Sequence, residues 1–471
     1  MGYGVIILAA GDSKRMRSDI PKVLHKLAGR PILSRSLSAV FGVESIKEIV
    51  IVGGSNIETL QSFYNTEVLD NKNNNYQIDW AHQQLPLGTA NAVMVGLSKI
   101  NQDINKIIVL SGDIPLISAN TLNKLISNTN SKSVGIITGT VANPQGLGRI
   151  IRDSNNNFLK IAEEVDASNL EKKITEVNVG IYLFPKEFLV QSLPTINNHN
   201  RQKEYYLTDV MALAVAQNIG IVTTTTDNSL ENISVNTRQQ LIALERQYQV
   251  WQANYFIEQG VTILDPSRFD IRGEVEIAPD VEIDINVILA GKVVIAKGAK
   301  IGANCYIKDT IIGPNVIIEP NTIIDGAIIY SQAIIGPFAR IRPKTNIAAN
   351  AKIGNFVEIK AAIVGEKSKI NHLSYIGDAI IGSNVNIGAG SITCNYDGAN
   401  KHVTVIEDNV LIGSACQLIA PITVEKNATL AAGTTLIQPA PASKLTLNKK
   451  NQYSVNWQRP VKKKSAKISD K

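Results

Sequence analysis

The chain carries 471 residues, with 47 Lys and Arg against 41 Asp and Glu, a formal net charge of +6 and 5% aromatic residues. That length exceeds what one hydrophobic core organises, so two to three domains are expected, and near-balanced charge with scattered aromatics argues against nucleic-acid binding. Three widely separated cysteines, Cys305, Cys394 and Cys416, argue against a disulfide framework or a paired zinc site, and the lack of a leader-like segment or a bilayer-length apolar run predicts a cytoplasmic protein without membrane insertion.

Residues 5–8, 49–52 and 107–110 are unbroken Val, Ile and Leu runs flanked by glycine or polar loops, the pattern of strands buried on both faces. Residues 34–41 and 89–99 carry helical apolar spacing, so the first half is predicted to be α/β with a mostly parallel sheet. Ligands of such sheets bind beyond the carboxyl ends of the strands.

Past the first run stands Leu8-Ala9-Ala10-Gly11-Asp12-Ser13-Lys14-Arg15-Met16, followed by Pro21-Lys22-Val23-Leu24. Small side chains let backbone N–H groups approach phosphate oxygens, and Arg15 and Lys22 bring charge to a leaving pyrophosphate. A glycine after a strand also makes an ordinary turn. Past the third run, Leu110-Ser111-Gly112-Asp113 puts a carboxylate where a Mg²⁺ bridging substrate phosphates is held, with a turn-capping aspartate as the plain alternative. Further polar groups keep it company: Gln83 with Gly88 and Thr89, Leu147-Gly148-Arg149, Glu163, Val177-Asn178-Val179-Gly180, and Val235-Asn236-Thr237-Arg238.

Over residues 237–259, Leu241, Leu244, Tyr248, Trp251, Tyr255 and Phe256 recur at mostly helical spacing, predicting one amphipathic helix that Gly260 stops and that links the domains. Beyond it the apolar period becomes six: Ile277, Ile283, Leu289, Ile295, Ile301 and Ile307, then Ile312, Ile318 and Ile324, then Ile335 to Ile359. After further one-residue shifts it runs through Val364, Ile370 and Ile376, then Ile381 and Ile387, and it returns at Ile406 to Leu436 after an insertion at 394–402. That rhythm predicts a parallel β-helix of hexapeptide repeats, in which each coil buries its rung against the next. Glycines follow many anchors, as in Ile301-Gly302 and Ile412-Gly413, where a side chain would crowd the corner. A basic tail, Lys462 to Lys464, Lys467 and Lys471, reads as a solvated end.

Regular coils do not need Arg340-Ile341-Arg342-Pro343, Asn355-Phe356-Val357-Glu358-Ile359-Lys360, or Asn371-His372-Leu373-Ser374-Tyr375. Arg342, Lys360 and His372 are separated by multiples of six, which predicts equivalent coil positions on one strip. Two cations suit an anionic substrate, and histidine, titrating near ~6.5, is the residue type for a general base.

On these motifs the chain resembles, almost end to end, the bacterial bifunctional N-acetylglucosamine-1-phosphate uridylyltransferase and glucosamine-1-phosphate acetyltransferase. The resemblance implies a Rossmann-like nucleotidyltransferase domain over 1–238, a helical linker over 239–259 and a left-handed β-helix acetyltransferase domain over 260–471. It implies UTP and acetyl-CoA as cosubstrates, glucosamine 1-phosphate and N-acetylglucosamine 1-phosphate as substrates, and a homotrimer with acetyl sites between subunits. Leu8, Ala9, Ala10, Gly11 and Lys22 would contact nucleotide, with Arg15 assisting transfer; Gln83, Gly88 and Thr89 would read uracil; Ser111, Gly112 and Asp113 would face nucleotide and metal. Gly148, Glu163 and Asn178 would hold the sugar, and Asp113 with Asn236 would ligate Mg²⁺. In the second half His372 would be the general base. Arg342, Lys360, Tyr375 and Asn386 would bind the sugar phosphate, and Ala389, Asn395, Tyr396, Ser414 and Ala432 acetyl-CoA. Two departures stand out: Ser13 and Lys14 replace the usual Gly and Thr, and Lys449 stands where the family has an arginine against CoA. Two other readings remain at this point: a nucleotidyltransferase whose β-helix serves only assembly or regulation, and a non-enzymatic assembly protein.

Overall fold

The computed structural model describes residues 2–11, 13–68, 78–226, 228–449 and 454–457. The chain divides into two compact units, Met1–Val294 with Tyr306–Lys308, and Ile295–Cys305 with Asp309–Lys471.

The first unit is built on a nine-stranded sheet. Its strands are β1 (Tyr3–Ala9), β2 (Ile46–Gly53), β3 (Ile78–His82), β4 (Lys106–Ser111), β5 (Val134–Thr140), β6 (Arg149–Arg152), β7 (Phe158–Ala162), β8 (Glu176–Pro185) and β9 (Ile221–Thr225). The main order is β9-β5-β8-β4-β1-β2-β3; β8 alone runs antiparallel to both neighbours on this path, and β6 and β7 form an antiparallel pair beside it. The three apolar runs lie inside β1, β2 and β4. Alternate residues feed two cores, Ile6 and Val109 into one, Val5, Ile7 and Ile108 into the other, so the sheet is buried on both faces. Helices α1 (Ile32–Phe41) and α2 (Ile57–Phe63) follow β1 and β2, α3 (Thr89–Leu97) precedes β4, and α4 (Ala119–Asn128), α5 (Lys186–Ser192) and α6 (Asp209–Ala216) complete the layers.

The expected linker helix is α7 (Arg238–Glu258), opened by a capping box between Thr237 and Gln240 and ended before Gly260, whose φ of +89° favours glycine. Its buried residues are Leu244, Gln249 and Ala253, whereas Trp251 and Tyr255 are 44% and 50% exposed. The aromatic stripe therefore does not seat the helix. Leu244 seats it in a core with Met16, Leu27, Ile32 and Val235, and polar anchors add to that hold: Gln249 accepts from Ile271 N–H and donates to Ile271 O, both at 2.7 Å.

In the second unit one sheet of the β-helix runs in parallel through Lys300–Ile301, Ile317–Ile318, Ile334–Ile335, Lys352–Asn355, Lys369–His372, Asn386–Ile387, Leu411–Ile412, Thr429–Leu430 and Leu445–Thr446. A second sheet supplies the remaining strands, and the solenoid is a left-handed parallel β-helix. Every anchor of the six-residue rhythm is at most 9% exposed, and Ile329 and Thr393 fill the rungs where the rhythm skips. The glycines after the anchors are required by the neighbouring coil: a Cβ on Gly302 would fall 2.7 Å from Pro320 N. Left-handed corners come three residues after many anchors, and asparagine is the residue most often found there, as at Asn304, Asn315, Asn321 and Asn384.

Candidate active sites

β1 and β4 lie side by side in parallel, with Leu8 opposite Ser111, so the loops leaving both strands open on one cleft. Gly112 N–H donates to Leu8 O at 2.9 Å, and a Cβ at 112 would fall 2.8 Å from that oxygen. A cavity of about 420 Å³ there is lined by Leu8, Ala9, Ala10, Gly11, Arg15, Lys22, Gln83, Gly88, Thr89, Ser111, Asp113 and Asn236, together with Val23, Pro86, Ala92 and Glu204. Lys22 Nζ stands 2.6 Å from Asp113 Oδ2 and 3.0 Å from Asn236 Oδ1, and Arg15 donates to the same Asn236 oxygen at 2.9 Å. An ammonium held between a carboxylate and an amide oxygen marks the pair as cation-accepting. Two such oxygens, completed by substrate phosphate and water, fit the implied Mg²⁺. Ser111 Oγ donates to Asp113 Oδ1 at 2.8 Å and fixes the carboxylate. The Ser13 departure has a role of its own, since its hydroxyl accepts Lys22 N–H at 2.7 Å. Asp12 and the Lys14 side chain lie outside the described residues.

Gly148, Glu163 and Asn178 form a second group in this unit. Asn178 N–H donates to Gly148 O at 2.8 Å, and a Cβ on Gly148 would stand 3.6 Å from both Asn178 Cβ and Glu163 Oε2. The Asn178 amide is locked, Oδ1 accepting from Gly180 N–H at 2.9 Å and Nδ2 donating to the buried Tyr182 hydroxyl at 2.7 Å. Burial pushes the Glu163 carboxyl above its ordinary value, against the Thr208 hydroxyl that donates to it at 3.0 Å. Buried acceptors of this kind favour a ligand rich in hydroxyls.

In the second unit the register Ile341↔Ile359 stacks Arg342 next to Lys360 on successive coils. His372 instead pairs with Asn355 in the other sheet. The expected single strip therefore divides over two faces, because a spacing of one whole coil stacks residues whereas the 12 residues from Lys360 to His372 turn the chain onto another face. His372 Nδ1 meets Asn355 Oδ1 at 2.9 Å; an amide oxygen only accepts, so the neutral tautomer that fits this contact has its proton on Nδ1 and a lone pair on Nε2. Gly390 N–H donates to His372 O at 3.4 Å, which sets Ala389 on the coil beside His372. Ala415 N–H donates to Ala389 O at 2.7 Å and Gly433 N–H to Ser414 O at 2.8 Å, so Ala389, Ser414 and Ala432 climb one corner over successive coils. Their small side chains leave room for an extended chain. Tyr375 and Asn386 lie in Tyr375–Gly377 and Asn386–Ile387; Asn395 donates to Asp378; Tyr396 and Lys449 are exposed.

Arg342 pairs with Glu358 at 2.7 Å. The adjacent Lys401 ammonium holds Lys360 below the usual lysine value, with Arg342 acting in the same direction. Crowded cations of this kind suit an anion such as a sugar phosphate.

Residues 5–153 match the MobA-like NTP transferase domain, and residues 271–345 and 328–431 match the GMPPB C-terminal domain. Bifunctional protein GlmU of Azoarcus sp. (strain BH72) is 43% identical over 97% of this chain and 99% of its own. The GlmU of Cupriavidus taiwanensis is 44% identical over 97% and 99%, and that of Legionella pneumophila (strain Paris) 43% over 98% and 99%. The chain belongs to the bifunctional GlmU family. Membership bears out the resemblance read from the motifs, and with it a transferase of two activities acting on small sugar-phosphate and nucleotide substrates. For a GlmU chain, two residues of interest stand in stretches that the sequence singles out without giving either a role. Lys401 was signalled only by the insertion that breaks the rhythm, and the role of Asn355 depends on coil-to-coil register, which period alone does not supply.

Proposed function

We propose that the second half transfers acetyl from acetyl-CoA to the amine of glucosamine 1-phosphate, and that the first half joins the product to UTP, giving UDP-N-acetylglucosamine and pyrophosphate. Full-length kinship with GlmU proteins carries the pairing of the two activities. Uridylyl transfer is assigned to residues 1–238, the linker to 239–259 and acetyl transfer to 260–471.

In the first site the sugar phosphate is already anionic and attacks the α-phosphate in line, so no side-chain base is needed. Leu8, Ala9, Ala10 and Gly11 receive the phosphates, Gln83, Gly88 and Thr89 the uracil, and Gly148, Glu163 and Asn178 the sugar. Arg15 and Lys22 neutralise charge as pyrophosphate leaves, Lys22 swinging from Asp113 toward the phosphates. Asp113 and Asn236 would hold Mg²⁺, which when bound offsets the charge on the transferring and leaving phosphates.

In the second site His372 Nε2 takes a proton as the amine nitrogen attacks the acetyl carbonyl; the C–S bond breaks, and the thiolate of CoA leaves and is protonated. Arg342 and Lys360, with Lys401 beside them, hold the phosphate, and Tyr375 and Asn386 the sugar. Ala389, Asn395, Tyr396, Ser414 and Ala432, with Lys449, line the path of acetyl-CoA. The working assembly is a homotrimer in the cytoplasm, feeding cell-wall precursor synthesis; full-length kinship with GlmU proteins supports that reading.

A coupled assay tests the whole: glucosamine 1-phosphate, acetyl-CoA, UTP and Mg²⁺, with free thiol and pyrophosphate followed separately. Both products are expected, pyrophosphate depending on acetyl-CoA. Pyrophosphate released only when N-acetylglucosamine 1-phosphate is supplied, without thiol, would reduce the β-helix to a scaffold.

A further inference from the structure

We propose that Asn91, a residue outside the nucleotide cleft, joins Gly88 O in setting which end of the Gln83 amide faces that cleft and so strengthens the site's preference for uracil over cytosine. The inference rests on the reading that Gln83 meets the base.

Gln83 is 6% exposed and lines the cleft, whereas Asn91, on the first turn of α3, is not among the lining residues. A glutamine amide offers two donors on nitrogen and an acceptor on oxygen, and the two ends have nearly the same shape. Gln83 Nε2 donates to Gly88 O at 3.1 Å and to Asn91 Oδ1 at 2.8 Å, so both of its hydrogens are engaged. A backbone carbonyl can only accept, which identifies the nitrogen as the end turned toward Gly88. Gly88 O also takes Ala92 N–H at 3.2 Å, so it keeps a partner if the amide rotates. A rotated amide would set its Oε1 against both Gly88 O and Asn91 Oδ1, so the two acceptors fix the end together, and Asn91 is the one a substitution can remove. Among the described residues no donor engages Gln83 Oε1, which is the end left for the ligand.

The scaffold around this pair is rigid. Gly88 stands at φ +112°, where a Cβ would fall 2.6 Å from Tyr205 O, and Ala90 N–H donates to that same oxygen at 2.9 Å. Gln83 N–H is itself tied to Gly53 O at 2.9 Å.

An amide oxygen pairs with the N3–H of uracil and faces a lone pair at N3 of cytosine. A rotated amide would present N–H and reverse the preference. Leaving such a buried polar group opposed or unpaired is what gives a site its selectivity.

The test uses the full-length enzyme with Mg²⁺ and N-acetylglucosamine 1-phosphate, measuring pyrophosphate release from UTP and from CTP. Asn91→Leu, which keeps the bulk and removes the acceptor, is expected to lower the UTP-to-CTP ratio of kcat/KM by about tenfold. Asn91→Asp, which still accepts from Gln83, is expected to keep the wild-type ratio. Thiol release should be unchanged in both. An unchanged ratio in Asn91→Leu, or an equal fall in Asn91→Asp, overturns the inference. Gln83→Ala separates the two layers: if it collapses the ratio while Asn91→Leu does not, only the role of Asn91 falls. If Gln83→Ala leaves the ratio intact, or the wild type uses CTP as well as UTP, the reading of Gln83 falls and the inference with it.

Discussion

In the proposed acetyl-transfer site His372 and Asn355 form one device, because the amide oxygen at 2.9 Å favours the neutral tautomer whose Nε2 is free to take a proton. His372→Ala is expected to lower thiol release by about 100-fold or more, the range of a lost general base. Asn355→Ala should cost less, on the order of tenfold, since the base survives but its tautomer is no longer held. Neither should alter pyrophosphate release from supplied N-acetylglucosamine 1-phosphate; a wild-type rate of thiol release in Asn355→Ala would remove its role. Glu163 makes a different claim. Because burial raises its pKa, the folded protein holds that proton more tightly than the unfolded chain. The resulting stabilisation is complete below the unfolded value near ~4.3 and is lost as pH rises through the higher folded value. Glu163→Gln should therefore melt on the order of a few degrees above wild type at about pH 8, the difference vanishing toward about pH 4. Equal melting temperatures across that range would contradict a raised carboxyl.

At the scale of elements, α7 shows how hydrogen bonds help to place a helix whose aromatic residues face outward. Gln249 is 1% exposed and satisfies both Ile271 N–H and Ile271 O, imitating a strand neighbour. Gln249→Leu removes both partners at once and should cost about 1–3 kcal/mol, the range for stranded buried polar groups. Urea unfolding of the variant is the measurement, and an unshifted midpoint would mean water reaches those groups. In the β-helix the division of labour is plain: buried anchors carry the cohesion, glycines such as Gly302 admit the next coil, and asparagines at left-handed corners turn the chain.

For the whole molecule, two chemistries with different needs sit in one chain. On the proposed reading uridylyl transfer relies on charge neutralisation by a metal that Asp113 and Asn236 would hold, whereas acetyl transfer relies on a proton acceptor. Removing divalent metal with a chelator should abolish pyrophosphate release and leave thiol release unchanged. Asp113→Ala should do the same, with a loss of about 100-fold or more in the first activity. A parallel fall of both activities in a well-folded variant would show that the two halves depend on each other.

Two periodicities written along the chain settled the architecture before any contact was known. Unbroken apolar runs such as 107–110 give strands buried on both faces, and an anchor every sixth residue gives stacked coils, because burial of side chains obeys the local repeat of the backbone. Loop motifs, read together with the family they resemble, likewise indicated Lys22, Asp113 and Asn236, whose residue types announce phosphate and metal chemistry. Tertiary structure decided which of these residues meet. Lys22 reaches Asp113 and Asn236 across more than 90 and 210 positions of sequence, at 2.6 and 3.0 Å. The stacking of Arg342 by Lys360 followed from their spacing, but the turn of His372 onto another face, its pairing with Asn355, the approach of Lys401 and the lock of Asn91 on Gln83 were not legible. Each depends on register between strands or on how a loop returns to a helix, and such register is set by packing over the whole unit, which no local period encodes.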